Sequence, residues 1–145
     1  DKHFYQLKLS GTTPIIAHPE RNTIIQKDIN ILKKLIDSGC LVQVDAASLI
    51  GDFGPECKKI SELLLQRNMV HFLGSDAHND KKRNFCLLSA LDIARSLMGD
   101  DADILIMDNP SKLISGQEII PFPIKEILKK KFSFWDLFNT KNKIK

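Results

Sequence analysis

The sequence predicts an α/β fold in which parallel strands alternate with helices. Short apolar runs are each followed by an amphipathic stretch, and polar clusters come directly after the first and third runs. This alternation is typical of parallel sheets. A closed β/α barrel needs about 200 residues or more, whereas this chain has 145. We therefore expect either a small open α/β layer or the later part of a larger barrel, and the motifs described below favour the barrel.

The first strand and helix are predicted from an apolar run and from helical spacing. Residues 13–17 form the strand, which should end near His18 because Pro19 disfavours helical backbone at the residue before it. Apolar residues recur at helical spacing over 26–38, and Gly39 is suited to ending that helix. A second strand follows over residues 40–44, which favour a buried parallel sheet.

The second half of the chain repeats this pattern. After a glycine-containing loop, Pro55 is well placed to open a helix. Residues 69–74 are predicted to be the third strand, and 85–98 the third helix, ended by Gly99. Asn109–Pro110 is expected to interrupt regular structure. We predict a domain over residues 1–120 and a separate basic tail over 121–145.

Charge and cysteine content exclude several classes of protein. The net charge of +3 is too small to indicate nucleic-acid binding, so no nucleic-acid partner is expected. Three cysteines without a C-x-x-C spacing favour neither a disulfide framework nor a thiolate zinc site. Neither a membrane span nor a signal pattern is present in the sequence. We therefore expect a cytoplasmic protein.

His18, Asp76 and His78 follow the ends of two predicted strands. The carboxyl ends of parallel strands form the ligand site of β/α folds. Imidazole and carboxylate together suit divalent manganese, iron or zinc. We interpret these three residues as metal ligands; packed or solvated side chains are the alternative. His71 lies inside a strand and is expected to be an ordinary core residue.

Two arginines come shortly after the proposed ligands. The guanidinium groups of Arg21 and Arg83 match phosphate oxygens in two-point contacts, which suits a phosphate-ester substrate. Surface ion pairs are the alternative for both. Glu20 and Asp80 are interpreted either as acids that orient a ligand imidazole or as exposed carboxylates.

Other phosphate and ester chemistries are excluded by missing motifs. A cysteine phosphatase needs an arginine six residues after its nucleophile, and none of the three cysteines, Cys40, Cys57 and Cys86, has one. The serine-hydrolase elbow and the phosphate-binding P-loop are also missing from the sequence.

The residues around these positions resemble a known family. The stretches PIIAHPERN (14–22), GDFG (51–54) and FLGSDAHN (72–79) are similar to those of bacterial PHP-type protein-tyrosine phosphatases of the CpsB/YwqE kind, which regulate capsule and exopolysaccharide synthesis. The resemblance covers roughly residues 5–115. It implies a distorted, TIM-like β/α barrel of the PHP type, of which this chain is the C-terminal part.

The resemblance also implies an activity and a site. His18, Asp76 and His78 would bind a cluster of divalent metals, often manganese, while Arg21 and Arg83 bind the phosphate of phosphotyrosine. Metal-activated water would hydrolyse phosphotyrosine in a protein, such as a bacterial tyrosine kinase. The family's His-x-His motif and further ligands precede the matched region, and no His-x-His occurs in these 145 residues.

The C-terminal segment is basic and amphipathic. Residues 125–145 hold seven lysines against two acids, a local charge of +5, interleaved with apolar residues. Such a segment contacts an anionic membrane surface or a partner, or packs on its own domain as a terminal helix.

Two alternatives to tyrosine phosphatase remain: another PHP phosphoesterase, such as a histidinol-phosphate or nucleotide phosphatase, and an inactive module that binds a kinase or membrane.

Overall fold

The computed structural model describes residues 2–81 and 83–126, which form a mixed α/β fold around a parallel sheet. Helices and strands alternate through most of this part of the chain, as the sequence predicts. In chain order the elements are α1 (Lys2–Leu9), β1 (Ile15–Ala17), a 3-10 helix (Pro19–Arg21), α2 (Thr23–Lys27), α3 (Asn30–Asp37), β2 (Leu41–Asp45), α4 (Ala46–Ile50), α5 (Pro55–Gln66), β3 (Phe72–Gly74), α6 (Leu87–Met98), a second 3-10 helix (Gly99–Leu105) and α7 (Asp108–Ile114).

The three strands lie side by side in the order β1-β2-β3, and both pairings are parallel. Ile16 is opposite Val42, and Val44 is opposite Leu73. Within the described residues the sheet is open rather than closed into a barrel, and β1 forms one edge. Ile15 on that edge is 36% exposed. The predicted parallel α/β fold is therefore confirmed, and the predicted barrel is not seen in this part of the chain.

The core lies between the sheet and the helices. Val42 and Val44 of β2 are completely buried, as are Leu32 of α3 and Leu64 of α5. The short helix α4 packs against both α5 and α6. This packing fixes the direction of β2, and so the position at which its last residue emerges.

The main differences from the predicted elements concern residues 26–38, α4 and α7. The helix expected over 26–38 is two helices, because Asp28 has extended backbone and its side chain accepts a hydrogen bond from the backbone N–H of Asn30. The helix α4 was not predicted; five residues are too few to show helical periodicity. The interruption expected at Asn109–Pro110 is wrong, since α7 runs through it with Pro110 in its first turn, where a missing N–H is tolerated.

The first residues of the predicted tail contact the domain. Ile124 packs against the main core, and the Lys125 backbone N–H donates to the Arg67 carbonyl at 2.9 Å. The rest of the tail, 127–145, lies outside the described residues, so the boundary at residue 120 stays a prediction. Among the helices described, none is both long enough and apolar enough to cross a bilayer.

Candidate active site at the strand ends

One edge of the sheet gathers the polar residues that follow the strands. Because all three strands are parallel, their carboxyl ends point the same way. His18 follows β1, Asp45 is the last residue of β2, and Asp76 comes two residues after β3. This edge is where ligand sites occur in β/α folds.

Backbone geometry at the end of β1 positions the HPER segment. The His18 N–H donates to the Gln43 carbonyl at 2.8 Å, which extends the β1–β2 ladder by one residue. His18 itself has a φ of 39°, in the left-handed region that non-glycine residues adopt infrequently. The chain then turns into the 3-10 helix, which carries Arg21 towards the end of β2.

Arg21 connects the ends of two strands. Its Nη1 lies 3.4 Å from Asp45 Oδ2 and 3.5 Å from Asp76 Oδ2. The guanidinium also lies over the ring of Phe53, 4.2 Å from the ring centroid, a cation–π contact. Phe53 belongs to the GDFG stretch, so the contact brings two of the resemblance motifs together.

The segment after β3 folds back on itself and brings Arg83 to Asp76. The Asp76 carboxylate is paired with the Arg83 Nη2 group, and the His78 N–H donates to the Arg83 carbonyl at 2.9 Å. Asp76 has a φ of 43°. At the end of β3 a Cβ on Gly74 would lie 2.6 Å from Gln43 Nε2, so glycine leaves the room that this approach requires.

Glu20 and Asp45 form a buried acidic layer beneath the arginines. Glu20 is fully buried, and its Oε1 accepts a hydrogen bond from the Asp45 N–H at 3.2 Å. Asp45 is 1% exposed, and its Oδ1 caps α4 by accepting from the Ala47 N–H at 2.9 Å. Burial raises the pKa of both carboxyls; the charge of Asp76 raises the pKa of Asp45 further, whereas the Arg21 and Arg83 charges oppose the rise.

A cavity opens beside these residues on the β1 side. Its volume is about 390 Å³, and its lining includes His18, Arg21 and Asn22. The Asn22 side chain also caps α2 by accepting from the Ile24 N–H at 2.9 Å. A half-buried arginine and an exposed imidazole therefore border a space that is open to solvent.

The predicted ligands fit a divalent metal in type. His78 Nδ1 lies 2.7 Å from the Asp76 carbonyl oxygen, which can only accept, so Nδ1 is the donor in this contact and, in a neutral imidazole, Nε2 has the lone pair that a metal needs. Imidazole nitrogen and carboxylate oxygen are the ligands that manganese, iron and zinc share. Over residues 2–81 and 83–126, however, no three His, Cys, Asp or Glu side chains form a group able to hold a metal ion. This part of the chain therefore offers only part of a ligand set.

The structure brings Arg21, Arg83, Asp76 and His78 into one connected group, and His18 lines the cavity that Arg21 also lines. Sequence reasoning missed Asp45 and Phe53. Asp45 could have been found, because it is the polar residue at the end of β2, the position that singled out the residues after β1 and β3. Of the two interpretations of Glu20, the exposed carboxylate is wrong, and its Oε1 accepts from the Asp45 N–H rather than from an imidazole. Asp80 is exposed.

Comparisons with known proteins show the family to which the chain is similar. The model of a family described as capsular polysaccharide synthesis, CpsB/CapC, matches residues 1–115. The tyrosine-protein phosphatase YwqE of Bacillus subtilis is 37% identical over 133 residues, which cover 91% of this chain and 52% of that protein. The tyrosine-protein phosphatase CpsB of Streptococcus pneumoniae is 34% identical over 115 residues, covering 75% of this chain and 47% of that protein.

A solved structure is also similar. It comes from crystal structures of YwqE from Bacillus subtilis and CpsB from Streptococcus pneumoniae, described as metal-dependent tyrosine phosphatases. It superposes with a TM-score of 0.82 at 36% sequence identity, covering 87% of this chain and 51% of that one. This chain thus spans about half the length of the curated relatives that it matches.

Proposed function

The chain belongs to the CpsB/CapC family, and on that premise we propose that it carries the phosphate-binding part of a metal-dependent protein-tyrosine phosphatase. The observation that supports this most is the convergence of Arg21 and Arg83 on Asp76 at the edge where the strands end. Two guanidinium groups at one point suit the three oxygens of a phosphate monoester. The substrate class is phosphotyrosine in a protein, with a bacterial tyrosine kinase of capsule or exopolysaccharide synthesis as the partner.

We assign His18, Asp76 and His78 to the metal shell. The lone pair left on His78 Nε2 supports the assignment for that residue. A bound divalent ion lowers the pKa of water and stabilises charge on the phosphoryl group. Manganese is proposed first, with iron and zinc as alternatives. The other ligands are those that the resemblance places ahead of the matched region.

In this arrangement each residue of the chain has a distinct task. Arg21 and Arg83 orient the phosphate and stabilise the negative charge on its oxygens during transfer. Phe53 and Asp45 hold the Arg21 guanidinium from two sides, and Glu20 fixes the backbone of Asp45. The cavity beside His18 gives a substrate access from solvent.

The fold and location follow the same premise. We propose that the three strands are part of a distorted β/α barrel and that a neighbouring strand pairs with the exposed edge strand β1. Three cysteines without a C-x-x-C spacing in the sequence support a cytoplasmic location. Contact of the basic tail with a membrane or a kinase is proposed from its lysines alone.

Phosphate release and metal content together test the proposal. The longest natural form of the protein that contains this chain is assayed with a phosphotyrosine peptide and with histidinol phosphate, with added manganese or a chelator. We expect manganese-dependent, chelator-sensitive hydrolysis of the peptide in preference to histidinol phosphate. Asp76→Asn should lower metal content and reduce kcat/KM by about a hundredfold or more.

The matched control is Asp92→Asn, since Asp92 is an exposed acid on α6 whose side chain is 79% accessible. It should leave both measurements unchanged. Full metal content in Asp76→Asn would refute the ligand assignment, and a clear preference for histidinol phosphate would refute the substrate class.

A further inference from the structure

A second basic cavity lies at the opposite edge of the sheet, where the strands begin. Its volume is about 240 Å³, and its lining includes Lys33, Arg67, Lys125 and Glu126. Arg67 comes five residues before β3, whereas Asp76 comes two residues after it. The cavity is therefore separate from the candidate active site.

Two hydrogen bonds build the cavity by fastening the segment after α7 to the turn after α5. The buried Asn68 side chain donates from Nδ2 to the Pro123 carbonyl at 3.1 Å. The Lys125 N–H donates to the Arg67 carbonyl at 2.9 Å. Asn68 has a φ of 57°, a conformation that asparagine tolerates better than most residues. These contacts place Lys125 beside Arg67.

The charges lining the cavity are not balanced. Lys33 is paired with Asp37 at 2.7 Å. Among the residues that the structure describes, neither Arg67 nor Lys125 has a carboxylate at ion-pair distance, and Glu126 makes no ion pair. With Lys33 balanced by Asp37, the charges of Arg67, Lys125 and Glu126 leave the lining a net charge of +1, beside a cavity that is large enough for a small anion.

Arg67 also has a donor without an acceptor. Its Nε is buried, and no hydrogen-bond partner for it exists in the described part of the chain. Buried N–H groups are nearly always paired, and leaving one unpaired is unfavourable. Nε itself is closed to solvent, so an oxyanion in the cavity would meet the charge of the guanidinium rather than this N–H, and its own charge would lie next to Arg67 and Lys125.

We propose that this cavity binds a phosphate group. A guanidinium and a neighbouring ammonium form the donor set that recognises phosphate oxygens, and the net positive charge of the lining favours an anion. The phosphate is either free in solution or the headgroup of a phospholipid. The chain continues from Lys125 into the lysine-rich residues 129–131, which favours an anionic surface as the source. The proposal does not depend on the catalytic assignment.

The first measurement follows the backbone N–H resonances of residues 67–69 and 124–126 by NMR while inorganic phosphate is added to the full chain. To remove binding at the other edge, the titration uses a background carrying Arg21→Gln and Arg83→Gln. We expect these resonances to shift and saturate. Adding Arg67→Gln or Lys125→Gln should weaken phosphate binding by about tenfold, and circular dichroism checks that each variant is folded.

The matched control is Arg95→Gln, because Arg95 is a half-exposed arginine paired with Asp103 at 2.9 Å. It should bind phosphate as the background does. Lys125 is exposed, so Lys125→Gln keeps the test valid if the Arg67 variant does not fold.

The second measurement distinguishes the two sources. The same variants are sedimented with phosphatidylcholine vesicles, with or without a minor fraction of phosphatidic acid. Vesicle binding that needs phosphatidic acid and is lost in Arg67→Gln identifies a lipid headgroup; phosphate binding without vesicle binding identifies a free phosphate. If both cavity variants bind phosphate and vesicles as Arg95→Gln does, the proposal is wrong.

Discussion

At the edge where the strands end, Arg21 and Arg83 both meet the Asp76 carboxylate, and Arg21 also meets Asp45. At the edge where the strands begin, Arg67 and Lys125 line a cavity with no carboxylate paired to them in the described residues. One sheet thus carries two basic groups: the first is paired with carboxylates of the chain itself, and the second lines a cavity that keeps a net positive charge.

The difference shows what each edge can bind directly. A cation that has no ion-pair partner can bind an anion directly. An arginine that is paired with a carboxylate must first give up that ion pair before it can bind another anion. At the edge where the strands end, phosphate binding by the two arginines is therefore coupled to the position of Asp76. The opposite edge has no such coupling, which is why we expect simple saturable binding there.

Each edge also contains buried titratable groups. Burial raises the pKa values of the buried acids at one edge and lowers the pKa of the buried imidazole at the other. The carboxyls of Glu20 and Asp45 have raised pKa values because burial disfavours their charged form. At the other edge burial lowers the pKa of the His71 imidazole to about 4. His71 is 2% exposed, and its Nδ1 accepts from the Val42 N–H at 3.0 Å, so it is the core residue that the sequence predicts.

Removing either paired arginine should have the largest effect. Arg21→Ala or Arg83→Ala deletes a donor to the phosphate and leaves Asp76 with one guanidinium fewer. We expect kcat/KM for a phosphotyrosine peptide to fall by about a hundredfold to a thousandfold in the longest natural form of the protein. Arg95→Ala is the control and should stay within about twofold, because it removes only a surface ion pair. Wild-type kinetics in both site variants would mean that these arginines only hold the loops.

The buried imidazole should make the fold sensitive to acid. Below pH 6.5 the unfolded chain takes up the His71 proton, whereas the folded chain does so only near pH 4, so the unfolded state binds more protons across that window. Stability is lost as pH falls from 6.5 to 4, by on the order of 3 kcal/mol. His71→Asn should remove this component from the free energy of unfolding, measured with urea at several pH values.

The control for that measurement is Ser96→Ala, since Ser96 is an exposed residue of α6 whose side chain does not titrate. It should retain the wild-type loss of stability. If His71→Asn and the wild-type chain lose the same free energy between pH 6.5 and 4, proton uptake by His71 does not contribute to acid unfolding.

Much of this fold was predictable because its strands and longer helices have clear periodicity. The helix α5 begins at Pro55 and α6 ends at Gly99, as their terminal residues indicate. The break between α2 and α3 was not predictable from apolar spacing, because it depends on a side chain of Asp28 that competes with the helix for a backbone N–H. Tertiary packing likewise determines α4, which is too short to form alone.

For the site, sequence position indicated the strand-end residues but not their partners. Arg21 and Arg83 are far apart in the chain, and their meeting at Asp76 depends on the 3-10 turn after β1 and the reversal after β3. The sequence did not indicate Asp45 as a site residue, because the second predicted strand ends at residue 44 and the observed strand ends at Asp45. That one residue separates a buried apolar side chain from the carboxylate that faces Arg21.

Substitutions of Asp45 test whether it acts through its charge, which faces Arg21, or through its hydrogen bond to the backbone of α4. Asp45→Asn keeps an oxygen that can cap α4 at the Ala47 N–H but removes the charge that faces Arg21. We expect kcat/KM to fall by about tenfold with little change in unfolding free energy, whereas Asp45→Ala should also lose about 1 kcal/mol through the missing cap. Equal activity in Asp45→Asn and wild type would restrict Asp45 to the capping role.

We expect the smallest effect at the edge where the strands begin. There the Asn68 side chain is hydrogen-bonded to Pro123, in the segment that carries Lys125. Asn68→Gly removes the hydrogen bond to Pro123 but still permits the φ of 57°, so the free energy of unfolding should fall by only about 1 kcal/mol. Asn68→Ala should cost about 1 kcal/mol more, because alanine is disfavoured in that conformation. If the fastening places Lys125 at the cavity, both variants weaken phosphate binding equally despite their different stabilities. Binding that instead declines in step with stability would show that Asn68 acts on the fold as a whole.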